Sequence, residues 1–102
     1  MRPFRDLKAS SLITEELGKI FVRDFNFEGA LVTIMNIEVD KDLLHANVKL
    51  GIIPYEKSLD VYKIVSRAAS HIRFQLLKKI NIKPMPYLKF EIAEPEKTED
   101  FQ

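Results

Sequence analysis

Between Val61 and Phe90 the chain carries seven basic side chains, Lys63, Arg67, Arg73, Lys78, Lys79, Lys83 and Lys89, and no aspartate or glutamate. The chemistry open to such a set is electrostatic. Clustered Lys and Arg release the counterions condensed on a phosphate backbone, so a segregated cationic stretch is the footprint of a nucleic-acid partner. The chain has 16 basic and 15 acidic residues, so taking away these seven leaves nine basic against all fifteen acidic. The formal net charge of +1 conceals that division. The plainer reading of any charge run is a solvated helix face.

Other chemistry has little to stand on. The absence of cysteine excludes thiol catalysis, disulfides and cysteine-ligated metals. His45 and His71 are the two histidines, and no His/Cys/Asp cluster stands at metal-ligand spacing. His45 reads as a structural residue in or beside a strand. His71 reads either as a base or phosphate contact or as plain surface. Gly18, Gly29 and Gly51 are too scattered for a phosphate-cradling loop. Asp40 and Asp42 flank a turn and read as turn formers. No serine pairs with a histidine and an acid at a recognised spacing. The expectation is no enzyme, no catalytic residue, no cofactor, no metal and no small-molecule substrate.

The elements that must position the basic stretch follow from periodicity. Leu7, Ile13, Leu17, Ile20 and Phe21 recur at helical spacing and predict a helix over 4–24. The β-branched run 30–40 predicts a strand with Val32, Ile34 and Asn36 on one face and Thr33, Met35 and Ile37 on the other. A second strand over 45–53 places Ala46, Val48, Leu50 and Ile52 together, and the short Asp40–Asp42 turn makes the pair an antiparallel hairpin. Helices follow over 57–69 and 71–80, then a loop bracketed by Pro84 and Pro86, then a strand over 87–93. Three strands and three helices in two layers give an α+β domain, a three-stranded sheet with the helices on one face. One domain over 1–93 and a short acidic, disordered tail over 94–102 account for the chain. With 46% hydrophobic and 30% charged residues, no apolar signal core and no run long enough to span a bilayer, it reads as soluble and cytoplasmic.

The basic stretch itself breaks helical phase. Val61, Ile64, Val65, Ala68 and Ile72 share one face, with Lys63, Arg67, Ser70 and His71 opposite, but a continuous helix would carry Phe74 and Leu77 onto the basic face. A kink at Ala68-Ala69-Ser70 resets the apolar face to Ile72, Leu76, Leu77 and Ile80, with Ser70 as N-cap of the second helix. A helix start beside Arg67, His71 and Arg73 would suit a phosphate. The alternative is an unbroken helix with Phe74 or Leu77 exposed or meeting a partner.

At this point the residues resemble a family. Ile13, Glu16-Leu17 and Ile20, then Leu31-Val32-Thr33, then Ile37-Glu38-Val39, Asp42-Leu43, His45-Ala46 and Val48 stand in the order of bacterial ribosome-binding factor A. Ala68, Ile72-Arg73, Leu76 and the closing Pro86-Tyr87-Leu88-Lys89-Phe90 continue the likeness to about residue 93. The resemblance implies a type II KH-like fold, α-β-β-α-(kink)-α-β, in which an Ala-x-Gly kink replaces the KH Gly-x-x-Gly loop. Here the kink becomes Ala68-Ala69-Ser70, and Ser70 departs from the family's glycine. The family's long C-terminal extension is largely missing.

The function this implies is a non-catalytic, monomeric factor that binds 16S ribosomal RNA in the free, maturing 30S subunit and assists late processing and folding of that RNA. Lys63, Arg67, Arg73, Lys78, Lys79 and Lys83 would contact phosphates, and Ala68, Ala69, Ser70 and His71 would set the backbone geometry. Arg2, Arg5 and Lys8 are candidate additional phosphate contacts, the plainer reading being a frayed, solvated terminus. Few aromatic residues are placed to stack on bases; Tyr62 and Phe74 are the candidates inside the basic stretch, and Phe74 reads equally well as a core residue. The alternatives are a general KH-type single-stranded nucleic-acid binder and a protein–protein adaptor with a basic docking face.

Overall fold

The computed structural model describes residues 2–95, with side chains from Lys8 onward. The expected tail over 94–102 lies outside the described residues from position 96. Helix α1 spans Arg2–Asp24, strand β1 Leu31–Val39 and strand β2 His45–Ile53. A single 3-10 turn, Tyr55–Lys57, leads into α2 (Ser58–Arg67), then α3 (Ala69–Lys79) and β3 (Tyr87–Ile92). The element order is the one read from the sequence, with boundaries moved by one to two residues.

The sheet order is β1-β2-β3, with β1 antiparallel to β2 and β3 parallel to β2. Strict alternation along β2 buries Ala46, Val48, Leu50 and Ile52. Ile13, Leu17 and Ile20 of α1 recur at intervals of four and three, so they form one stripe and are buried in full. Val61 and Val65 of α2, Ile72 and Leu76 of α3, and Leu88 and Phe90 of β3 complete one core cluster. All three helices therefore pack on one face of the sheet. The opposite face carries His45, Asn47, Lys49 and Glu91, with the Asn47 amide donating to Glu91 at 2.7 Å. No described helix is long and apolar enough to cross a membrane.

Strand β1 departs from the expected alternation. Ile34 pairs with Leu50 and Asn36 with Lys49, so Met35 is an extra residue in a β-bulge. Beyond the bulge the phase is inverted. Ile37 is buried and Asn36 exposed, the reverse of the faces predicted for them. The energetics choose this register: burying Ile37 gains about 1.5–3 kcal/mol, while an unpaired buried Asn amide costs about 1–3 kcal/mol. The Met35 thioether then folds over Gly51, its Sδ 3.0 Å from where a Cβ would stand.

The connection from α1 to β1 is a tight turn in which Ala30 N–H donates to the Phe27 carbonyl at 3.1 Å. Glu28 and Gly29 at its centre have φ of 55° and 90°. Two consecutive left-handed residues define a type I′ turn, which favours Asn-Gly. Glu28→Asn is expected to raise stability by about 0.5–1 kcal/mol, read as a Tm increase of a few degrees. An unchanged or lower Tm would contradict this account of the turn.

Candidate nucleic-acid interface

Helices α2 and α3 are separated by Ala68 alone. Ala68 takes φ −94° and ψ 5°, and its N–H is shared between the Ile64 and Val65 carbonyls at 3.2 Å each. Its own carbonyl accepts from Ile72 N–H at 2.8 Å, which carries the hydrogen-bonding ladder across the break. The break exists where the sequence predicts it, but its geometry differs. The cap position is Ala68, without a side-chain capping bond, and Ser70 is the second residue of α3 and exposed. The bend needs no positive φ, so serine in place of the family's glycine imposes no strain on it.

The reset of the apolar face is narrower than expected. Ile72 and Leu76 are fully buried and Ile80 packs against the core, whereas Leu77 is 44% exposed and Phe74 54% exposed. Leu77 lies one residue, or about 100° of helix, beyond Leu76, which carries it past the edge of the packed stripe. Ala68 and Ala69 are half-buried against the core.

The basic residues divide into two groups. Lys63 and Arg67 of α2, Lys78 and Lys79 at the end of α3, Lys83 in the following loop and Lys89 of β3 are all exposed. Among the described residues none of these six joins a salt bridge, although Lys19, Arg23 and Lys49 are paired with Glu16, Asp24 and Glu91. Lys78 and Lys79 also sit where cations offset the helix dipole. Arg73 belongs elsewhere. Its Nη2 and Nε donate to the Met85 carbonyl at 2.8 and 3.2 Å, and Nε reaches Pro86 O at 3.3 Å. The guanidinium lies 4.0 Å from the centre of the Tyr87 ring. Arg73 thus ties α3 to the start of β3.

His71 has an acidic neighbour, Asp24, that local spacing does not reveal. Arg23 donates through Nε and Nη2 to the Asp24 carboxylate at 2.9 and 3.0 Å. That hydrogen bond, opposed by partial burial and reinforced by the Gln75 amide and His71, holds the Asp24 carboxyl below the usual carboxylate range. A carboxylate at the end of α1 therefore stands beside α3, near Gln75 and His71. Lys8 is exposed and, with Lys83, edges a cavity of about 290 Å³ floored by Leu12, Val39 and Ile82. The side chains of Arg2 and Arg5 lie outside the described residues. A shallower cleft of about 200 Å³ runs between α2 and β3, lined by Tyr62, Ser66, Ala69, Leu88, Lys89 and Phe90. Tyr62, Ser66 and Lys89 are its exposed members, and nothing in the spacing of 62 and 89 announces that they line one cleft.

The fold also gathers Asp40, Asp42 and His45, whose candidate ligand atoms lie within 4.8 Å of one another. The sequence reading found no metal cluster because the three straddle the β1–β2 turn. All three are exposed, and Asp42 Oδ1 already accepts from Leu44 N–H at 2.8 Å, which makes it a turn former. Exposed carboxylates of this kind recur in turns without a metal.

An α+β domain of KH-like element order, with unpaired cations gathered along one helix pair and the adjoining strand, is the class that the fold and the surface define. Comparison with known proteins narrows it. The family model for ribosome-binding factor A matches residues 5–100. The ribosome-binding factor A of Borreliella burgdorferi is 32% identical over 91 residues, covering 84% of this chain and 75% of the relative. That of Coprothermobacter proteolyticus is 26% identical over 93 residues, covering 90% and 68%. The crystal structure of ribosome-binding factor A from Thermus thermophilus superposes with a TM-score of 0.65 at 17% identity, over 90% of this chain and 96% of that one. The chain belongs to the ribosome-binding factor A family.

Proposed function

We propose that this chain is a non-catalytic assembly factor of the cytoplasm that binds 16S ribosomal RNA in the free, maturing 30S subunit and assists its late processing and folding. The observation that carries the reading is the set of exposed, carboxylate-free cations Lys63, Arg67, Lys78, Lys79, Lys83 and Lys89. Paired cations elsewhere on the molecule are already neutralised, whereas these six keep their full charge for phosphates. Contacts of this kind position RNA without reading its sequence, so specificity rests on RNA shape and on neighbouring subunit surfaces. Arg73 is withdrawn from the contact set by its internal bonds.

The test is co-sedimentation of the purified chain with isolated 30S, 50S and 70S particles across a salt series. Selective pelleting with 30S, falling steeply as salt rises, is expected, because each phosphate contact contributes roughly 0.7 to the slope of log K against log salt for single-stranded RNA. Equal pelleting with all three particles would remove the 30S assignment. Binding that persists after nuclease treatment would point to a protein partner.

A further inference from the structure

We propose that Phe74 is a stacking platform for one unpaired base of the bound RNA, with Lys78 holding a phosphate next to that base. The inference rests on the RNA-binding reading above and adds a ligand class, an unstacked nucleotide, which phosphate contacts alone do not require.

Ile72 and Leu76 already supply the buried stripe of α3, and Phe74 lies between them in sequence but about half a turn away around the helix. Its ring is 54% exposed, a large apolar side chain held in water at mid-helix. Single exposed apolar residues are ordinary, so exposure alone decides nothing. The surroundings decide it. One turn on, the Lys78 ammonium lies over the ring, 4.9 Å from its centroid. Phe74 is thus an exposed aromatic ring with one cation, free of any carboxylate partner among the described residues, held against it. Aromatic rings interleaved with cations are the combination that holds single-stranded RNA, the ring taking the base and the cation its phosphate. A protein partner would also meet Phe74 and the neighbouring Leu77, but it would have to bring carboxylates to this surface. RNA brings phosphate at every nucleotide.

The experiment compares the full chain with Phe74→Ala, Phe74→Leu and Phe74→Trp. Each is titrated with an unpaired oligoadenylate, with an RNA duplex, and with nuclease-treated 30S particles, and each is checked for an unchanged Tm. Phe74→Ala and Phe74→Leu are expected to weaken oligoadenylate binding by about 5- to 100-fold. Phe74→Trp retains it, and its indole fluorescence is quenched by the bound base, a clean signal because the chain has no tryptophan. The salt slope and the duplex affinity stay unchanged in all variants, since no phosphate contact has been removed. Full retention of binding by Phe74→Ala, or rescue by Phe74→Leu, would overturn the platform while leaving the RNA reading standing. Loss confined to nuclease-treated particles would overturn it in favour of a protein contact. Failure of the unmodified chain to bind any RNA would remove the RNA reading itself and the platform with it.

Discussion

Reversing the charge of Lys63 and Arg67 together, K63E/R67E, is expected to lower affinity for 30S particles by at least about 100-fold at low ionic strength. Two exposed cations are removed from the proposed RNA-binding surface and two anions are put in their place. The slope of log K against log salt should flatten by roughly 1.4 if both residues contact single-stranded phosphates. Folding should be untouched, because both side chains are exposed on the side of α2 opposite the buried Val61 and Val65. Sedimentation measures the affinity, and thermal unfolding shows that the variant is native. A variant that is native and still binds at the original affinity would remove α2 from the interface.

Arg73→Ala should behave in the opposite way. The guanidinium makes charged hydrogen bonds to the carbonyls of Met85 and Pro86 and lies over the Tyr87 ring. Bonds of that kind contribute about 1.5–3 kcal/mol and a stacked cation about 0.5–2 kcal/mol, so a loss of about 2–4 kcal/mol is expected. In a domain of this size that lowers Tm by about 10–25 °C. Arg73→Lys should recover little of it, since an ammonium cannot serve the carbonyls and the ring together as the planar fork does. Below its Tm the Arg73→Ala chain should show the unaltered salt slope. A reduced slope with unchanged Tm would return Arg73 to the set of phosphate ligands.

The contrast between Arg67 and Arg73 marks how far the residues could be read without coordinates. Charge segregation is visible in composition, and it is reproduced on the surface by Lys63, Arg67, Lys78, Lys79, Lys83 and Lys89. Which cation turns inward depends on the rotational phase of α3, which is fixed by the residue at which the helix breaks. The break at Ala68 lies two positions before the expected cap at Ser70, and Leu77 stays exposed. Strand β2 was legible because its alternation is strict and its inner face is wholly apolar. Strand β1 was not, because apolar residues occupy both phases of the run Leu31–Ile37 and only pairing with β2 shows that Met35 is the extra residue. Approaches across long stretches of chain, Asp24 to α3 and Tyr62 to the cleft that Lys89 also lines, leave no trace in local spacing. They arise from the way α1 and β3 flank the two short helices.

The parallel union of β2 with β3 also sets a sequence of events in folding. The hairpin β1–β2 closes through a short turn and costs little chain entropy. The other side of β2 must wait, since its partner Tyr87–Ile92 lies beyond the whole α2–α3 segment, with His45 paired to Tyr87 and Leu50 to Ile92. Until that strand docks, the central strand of the sheet has one bare edge and an apolar flank of Ala46, Val48 and Leu50, the arrangement most prone to pair with a second molecule. Such distant pairing is slow, because the loop must close before any contact repays it. A chain stopped before Tyr87 would therefore hold a half-built sheet, and the segment that carries most of the exposed cations doubles as the tether that brings the last strand home.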